Sequence, residues 1–240
     1  EHTREAGLRG LERKISAICR KIARRYLNTQ NASRKIKIDE GAVEQLLGPA
    51  RYHYEIAGAR DRVGCATGLA WTESGGEIIF VETTRMIGAE RLILTGYLGE
   101  IMKESAQAAL SYIRSHTEQL GLAADFFQGR DIHVHVPSGA IPKDGPSAGM
   151  TIAVALTSLL KDIPCPRDTA MTGEVTLSGR ILPVGGIREK LLAAKTAGIK
   201  TIIFPAKNQA ENSAMDDSLK QGIKIFTAGE LDDVIRQVLG

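Results

Sequence analysis

The stretch Pro142-Lys143-Asp144-Gly145-Pro146-Ser147-Ala148-Gly149-Met150 sets one serine between a Gly-Pro turn and a long apolar run, Met150 to Leu160. That run reads as a buried helix with Ser147 at its N-terminus. A helix N-terminus offers unpaired backbone N–H groups and a partial positive charge. Both suit a developing oxyanion. A serine at such a place is most commonly an N-cap. A nucleophile would also need a base.

Gly185-Gly186-Ile187-Arg188-Glu189-Lys190-Leu191-Leu192-Ala193-Ala194-Lys195 reads as a Gly-Gly turn entering a helix. Helical spacing from Ile187 puts Lys190, Leu191 and Ala194 on one face, with Arg188, Glu189 and Lys195 off it. Lys190 therefore lies on the stripe that faces a core. A lysine there usually snorkels outward. A buried one loses proton affinity, because desolvation disfavours the ammonium, and becomes a general base near neutral pH. Position alone leaves both readings open.

The two segments together, with Met171-Thr172-Gly173-Glu174 between them, resemble the proteolytic domain of the Lon family of ATP-dependent proteases. The spacing between Ser147 and Lys190 agrees with the family pattern. Gly68 to Thr72, Gly99 to Ser105 and Asp131 to Pro137 match as well, so the resemblance covers nearly the whole chain. It implies a Ser–Lys dyad with Ser147 as nucleophile and Lys190 as base. It also implies a homohexamer and substrates that are unfolded or damaged proteins. Thr3-Arg4-Glu5-Ala6-Gly7-Leu8-Arg9 resembles the end of the family's small helical ATPase subdomain, where Arg9 takes the place of a nucleotide-sensing arginine. ATP and Mg are then expected in the full-length protein. No cofactor is expected in this chain, which contains no G-x-x-x-x-G-K-[ST] loop.

Composition sets wider bounds. The chain has 240 residues, 43% of them hydrophobic, and a net charge of +3. That is ordinary for a globular protein of one or two domains. No apolar run reaches the ~18–20 residues of a membrane helix, so no membrane contact is expected. Residues 1–30 lack the apolar core of a signal peptide. The chain opens on Glu1 rather than methionine, as a piece of a longer protein would. Cys19, Cys65 and Cys165 are odd in number and scattered, which points to a reducing, cytoplasmic compartment and buried thiols. Bases outnumber acids over residues 1–40. Such a stretch is most often a solvated face. Weak DNA binding is the lesser reading, since no readout motif accompanies the charge.

Leu8, Leu11, Ile15, Ile18, Ile22 and Ala23 predict an amphipathic helix over 2–27, followed by a polar break at Asn28–Ser33. A short extended piece at Ile36–Glu40 and a helix at Gly41–Leu47 follow. Residues 1–50 thus read as a partial helical subdomain and 51–240 as the proteolytic domain. In the second part, Cys65–Thr72 and Glu77–Thr84 form a predicted hairpin. Arg91–Tyr97 and Asp131–Val136 are predicted strands, and Leu98–Leu120 a long helix. Thr169–Leu177 and Arg180–Val184 flank a hairpin turn at Ser178-Gly179. Lys200–Phe204 and Ile223–Phe226 are short buried strands, and the Gly186–Ile199 helix suggests a parallel crossover. The fold class is mixed α/β (α+β).

Other residues carry chemistry. Thr172 is a candidate to orient the lysine amine, or else an ordinary β-branched strand residue. The N–H groups near Ser147 and Ala148 are candidates for an oxyanion hole. His133 and His135 share a strand face. They read first as ordinary hydrogen-bonding residues, then as partners of Ser147, and last as metal ligands, for which no third ligand stands out. No metal is expected. Asp144 reads as a gate or a turn aspartate. Trp71 reads as a packing anchor or the flank of a peptide groove. The rival from another class is a non-catalytic domain of the same fold, acting as scaffold in a DNA-associated ATPase. The intact Ser147 and Lys190 argue against it. A phosphate site at Gly145 lacks the lysine motif.

Overall fold

The computed structural model describes residues 2–3, 8–29, 36–49, 60–73, 75–137 and 143–240. Part of the predicted 2–27 helix, part of the Asn28–Ser33 break, the boundary near residue 50, Ser74 and Pro142 lie outside the described residues. The chain divides into two compact units, Glu1–Glu55 and Ile56–Gly240.

In the first unit, α1 (Arg9–Thr29) and α2 (Glu40–Leu47) pack together, with Leu46 buried and its carbonyl accepting from Lys21 Nζ. The extended piece predicted at Ile36–Glu40 is instead the approach to α2. Asp39 is the N-cap, its Oδ1 accepting from Ala42 N at 2.9 Å. Alternation of Ile36 and Ile38 mimicked a strand, but both are exposed. Leu8, Leu11 and Ile15 on the predicted apolar stripe of α1 are also exposed, and so is Cys19, against the expectation of buried thiols.

The second unit opens with β1 (Arg62–Val63), β2 (Cys65–Thr72), β3 (Gly75–Ile87) and β4 (Leu92–Thr95), then α3 (Glu100–Ser115) and β5 (Arg130–His135). A 3-10 turn, Pro146–Ala148, leads into α4 (Gly149–Lys161). Next come β6 (Pro164–Cys165), β7 (Thr169–Met171), β8 (Glu174–Val175), β9 (Ile181–Leu182), α5 (Ile187–Thr196) and β10 (Thr201–Pro205). α6 (Gln209–Ala214), α7 (Asp217–Lys220), β11 (Lys224–Ala228) and α8 (Leu231–Leu239) follow. A seven-stranded mixed sheet runs β11-β10-β7-β2-β3-β5-β4. The β2–β3 hairpin is antiparallel, and β7, β10 and β11 are parallel, as crossover helices require. The fold is mixed α/β.

Alternation along the strands sends successive side chains to opposite faces. Ile203, Ile79 and Val81 join a core with α3, α4 and α8. Ile202, Phe204, Leu69 and Ile78 join a second core with Ile187, Leu191 and Ala194 of α5. The sheet is therefore sandwiched, with α4 on one face and α5 on the other. Helix α4 is buried from Gly149 through Ser158, as an all-round apolar helix must be.

Two predicted elements differ. Helix α3 stops at Ser115 rather than running to Leu120, and Ile101 points out while Ala106 and Leu110 are buried. The predicted strand Thr169–Leu177 breaks at Thr172–Gly173, with β7 in the large sheet and β8 paired only with β9. Thr172 N still bonds to Ile203 O of β10, and the break comes at Gly173, whose N–H and carbonyl bond across to Ser147 and Met150.

Candidate active site

Four hydrogen bonds strap the serine turn to the segment Met171–Gly173. The Ser147 carbonyl accepts from Gly173 N at 2.9 Å and from Thr172 Oγ1 at 3.2 Å. Met150 N donates to Gly173 O at 3.0 Å, and Thr151 Oγ1 to Met171 O at 3.2 Å. Thr172 N in turn donates to Ile203 O of β10 at 3.2 Å. Ser147 thus sits half-buried in a turn fixed to the C-terminal end of β7. It caps nothing: the N-cap of α4 is Ala148, and no side chain caps the helix. The commonest role of a serine at this position is therefore not the one it plays here.

Lys190 reaches the same point from the opposite layer. The buried residues of α5 are Ile187, Lys190, Leu191 and Ala194, the stripe that the spacing predicts. Lys190 is 2% exposed, so its amine does not snorkel to water. Its Nζ donates to Thr172 Oγ1 at 3.0 Å. A threonine hydroxyl has one proton. Committed to the Ser147 carbonyl, it leaves only lone pairs for Lys190. Thr172 therefore links the lysine of one layer to the backbone of the serine in the other. Burial brings the Lys190 amine down to about 8, partly opposed by the negative charge of Glu211.

Close backbone contacts fix where α5 begins. A Cβ on Gly76 of β3 would lie 2.0 Å from the Glu189 carbonyl oxygen, so the first turn of α5 rests directly on that strand. Gly186, at φ +72, takes a left-handed conformation that favours glycine, and the Trp71 side chain lies over it. Trp71 is 58% exposed, so it covers the start of α5 rather than anchoring a core.

The remaining candidates fall elsewhere. Ala148 is buried beside Ser147. The next two N–H groups are engaged, Gly149 N with Pro146 O and Met150 N with Gly173 O. His133 and His135 share a face, as expected, but it is the face of the sheet opposite α4. Both bond to Thr95 Oγ1, at 2.8 and 2.6 Å, rather than to Ser147 or Lys190. Alternation forces this, since Ile132 and Val134 turn toward α4. The two histidines line a cleft of about 300 Å³ with Arg62, Cys65 and Glu82. Among the described residues no group of three or more His, Cys, Asp or Glu could hold a metal ion. Asp144 accepts from Met102 N at 3.1 Å and Gly145 N at 2.8 Å, so it caps α3 from outside that helix. Arg9 is exposed on α1. Asn208 and Glu211 carry no signal as site residues in the sequence, where the stretch after Phe204 reads only as helical; the structure has a 3-10 turn at Ala206–Asn208 and then α6.

A half-buried serine ahead of α4 is tied, through a threonine at the end of β7, to a buried lysine of α5 on the other face of the sheet. Residues 37–240 match the family model described as the Lon protease (S16) C-terminal proteolytic domain, and residues 1–37 match the Lon protease AAA+ ATPase lid domain. The class is thus a proteolytic domain joined to a piece of an ATPase. Lon protease of Heliobacterium modesticaldum is 52% identical over 239 residues, covering 100% of this chain and 29% of that protein. Lon protease of Geobacter metallireducens is 51% identical over 239 residues, with the same coverage of each. Lon protease 1 of Myxococcus xanthus is 51% identical over 238 residues, covering 99% and 29%. The chain belongs to the Lon protease family. It spans about three tenths of the length of these relatives. No helix among the described residues is long and apolar enough to cross a membrane.

Proposed function

We propose that this chain hydrolyses peptide bonds through a Ser147–Lys190 dyad and an acyl-enzyme. The observation that carries the reading is the buried Lys190 amine, brought down to about 8 and bonded to Thr172. Ser147 Oγ attacks the peptide carbonyl carbon while neutral Lys190 Nζ takes its proton. The N–H groups of Ser147 and Ala148 face the oxyanion. Lys190 then returns the proton to the leaving amine as the C–N bond breaks. Water, deprotonated by the same amine, releases the acyl group. Thr172, holding one N–H of the amine, turns its lone pair toward the serine.

In the complete protein, ATP and Mg bound by the preceding ATPase module would drive unfolding of protein substrates, with Arg9 sensing the nucleotide. A homohexamer would enclose the sites. The match of residues 1–37 to the Lon protease lid domain supports the protease reading over the DNA-scaffold one. The test is cleavage of casein, an unstructured protein, by the full-length protein and by Ser147→Ala. Loss of cleavage in a folded variant is expected. Cleavage at the unaltered rate would overturn the assignment.

A further inference from the structure

The loop ahead of α5 is held by one side chain. Asn208, buried between β10 and α6, accepts from Val184 N through Oδ1 at 3.0 Å and donates from Nδ2 to Val184 O at 2.9 Å. It thereby pairs with Val184 as a neighbouring strand would. Its second Nδ2 proton goes to Glu211 Oε2 at 3.2 Å. This set fixes the amide's orientation, because the flipped amide would set NH2 against the Val184 N–H. Val184 lies two residues before Gly186, whose carbonyl accepts from Lys190 N at 2.9 Å. One buried amide thus fixes the entry of the lysine helix and the side chain of an acid on the adjoining α6.

We propose that Asn208 and Glu211 form a positioning clamp for the proposed base, Asn208 fixing the backbone that launches α5 and holding the Glu211 carboxylate on the adjoining α6. The clamp's effect on rate rests on the reading of Lys190 as base; its geometry does not. The surroundings leave Glu211 as the charge that matters. The sheet face under α5 offers Leu69, Ile78 and Phe80. On α5 itself, Arg188 and Glu189 lie off the buried stripe. Arg188 acts on Asp216, ahead of α7, and Lys220 pairs with Asp217. Burial and the Glu211 carboxylate act on Lys190 in opposite directions. Without that carboxylate, the amine is neutral at lower pH.

The experiment compares the full-length wild type, Glu211→Gln, Asn208→Ala and the control Asp217→Asn. Gln keeps an acceptor for Asn208 and removes only the charge. Two quantities are read: the pH profile of kcat/KM on an unstructured peptide, and the titration of Lys190 by trace acetic anhydride labelling with mass spectrometry. In Glu211→Gln both the acidic limb of the rate and the labelling curve are expected to move to lower pH, while Asp217→Asn leaves both in place. Asn208→Ala, which frees the loop, is expected to lower kcat with KM little changed. If neither curve moves in Glu211→Gln, or both move equally in Asp217→Asn, the clamp is overturned. If labelling moves and the rate limb does not, the clamp stands and Lys190 is not the base.

Discussion

Lys190 bears both on chemistry and on stability, and the two can be separated. Its amine titrates near 8 when folded and near 10.5 otherwise. Below pH 8 it is charged in both states, and the fold bears the full penalty of burying an ammonium. Between 8 and 10.5 the folded form is neutral while the unfolded one still binds a proton, so stability rises with pH across that window. The span corresponds to about 3 kcal/mol, an order-of-magnitude figure. Lys190→Met is accordingly expected to be inactive yet more stable than wild type below pH 8, with the advantage shrinking toward 10.5. Urea melts at several pH values check this, and a Met variant less stable at pH 7 would contradict it. Lys190→Arg, whose guanidinium stays charged, should be inactive at every pH. Thr172→Ala removes the amine's partner and one bond to the Ser147 carbonyl. A fall in kcat with KM nearly unchanged is expected from steady-state kinetics, because the loss is felt mainly in the transition state.

Elements hold these residues in place through contacts that only partly show in sequence. The stripe of α5 was legible because Ile187, Lys190, Leu191 and Ala194 recur at helical spacing, while the spacing left open whether the lysine snorkels or stays buried. The apolar run of α4 was legible too. The break of the strand at Thr172–Gly173 was not, since β-branched residues on both sides continue the pattern. The tertiary bonds from Gly173 to Ser147 and Met150 interrupt it. The histidine face was read correctly as a shared face, but which face depended on the neighbouring isoleucine and valine meeting α4. Asn208 left no signal at all, because its partner Val184 lies 24 positions away. Contact between α5 and the sheet makes a sharp prediction at Gly76. Gly76→Ala would force its Cβ against the Glu189 carbonyl, which cannot yield without moving the helix. We expect a loss of about 1–3 kcal/mol in stability, the usual cost of overpacking, together with a drop in kcat. Thermal melts and peptide kinetics on the same variant measure both. Asp144→Ala, which uncaps α3, is expected to cost about 1 kcal/mol.

At the scale of the whole chain, the two units are unequal in what they bury. Among the described residues, every member of the two hydrophobic cores comes from Ala66 onward. In the first unit Leu46 is the fully buried apolar side chain among the described residues, while Leu8, Leu11, Ile15 and Ile36 stay exposed. A helical pair with so little buried surface among the described residues gains little from the hydrophobic effect, and an isolated helix as short as α2 is marginal in water. The second unit carries a sandwiched sheet large enough to fold by itself. We therefore propose it as the independent folding domain, bounded near residue 56. A chain of residues 56–240 is expected to unfold in one cooperative transition, with Tm within about 4 °C of the 240-residue chain, the equivalent of ~1 kcal/mol at this size. Residues 1–55 alone are expected to show weak helical circular dichroism without a cooperative melt. A non-cooperative melt for 56–240, or a sharp one for 1–55, would show that the cores do not set the folding unit.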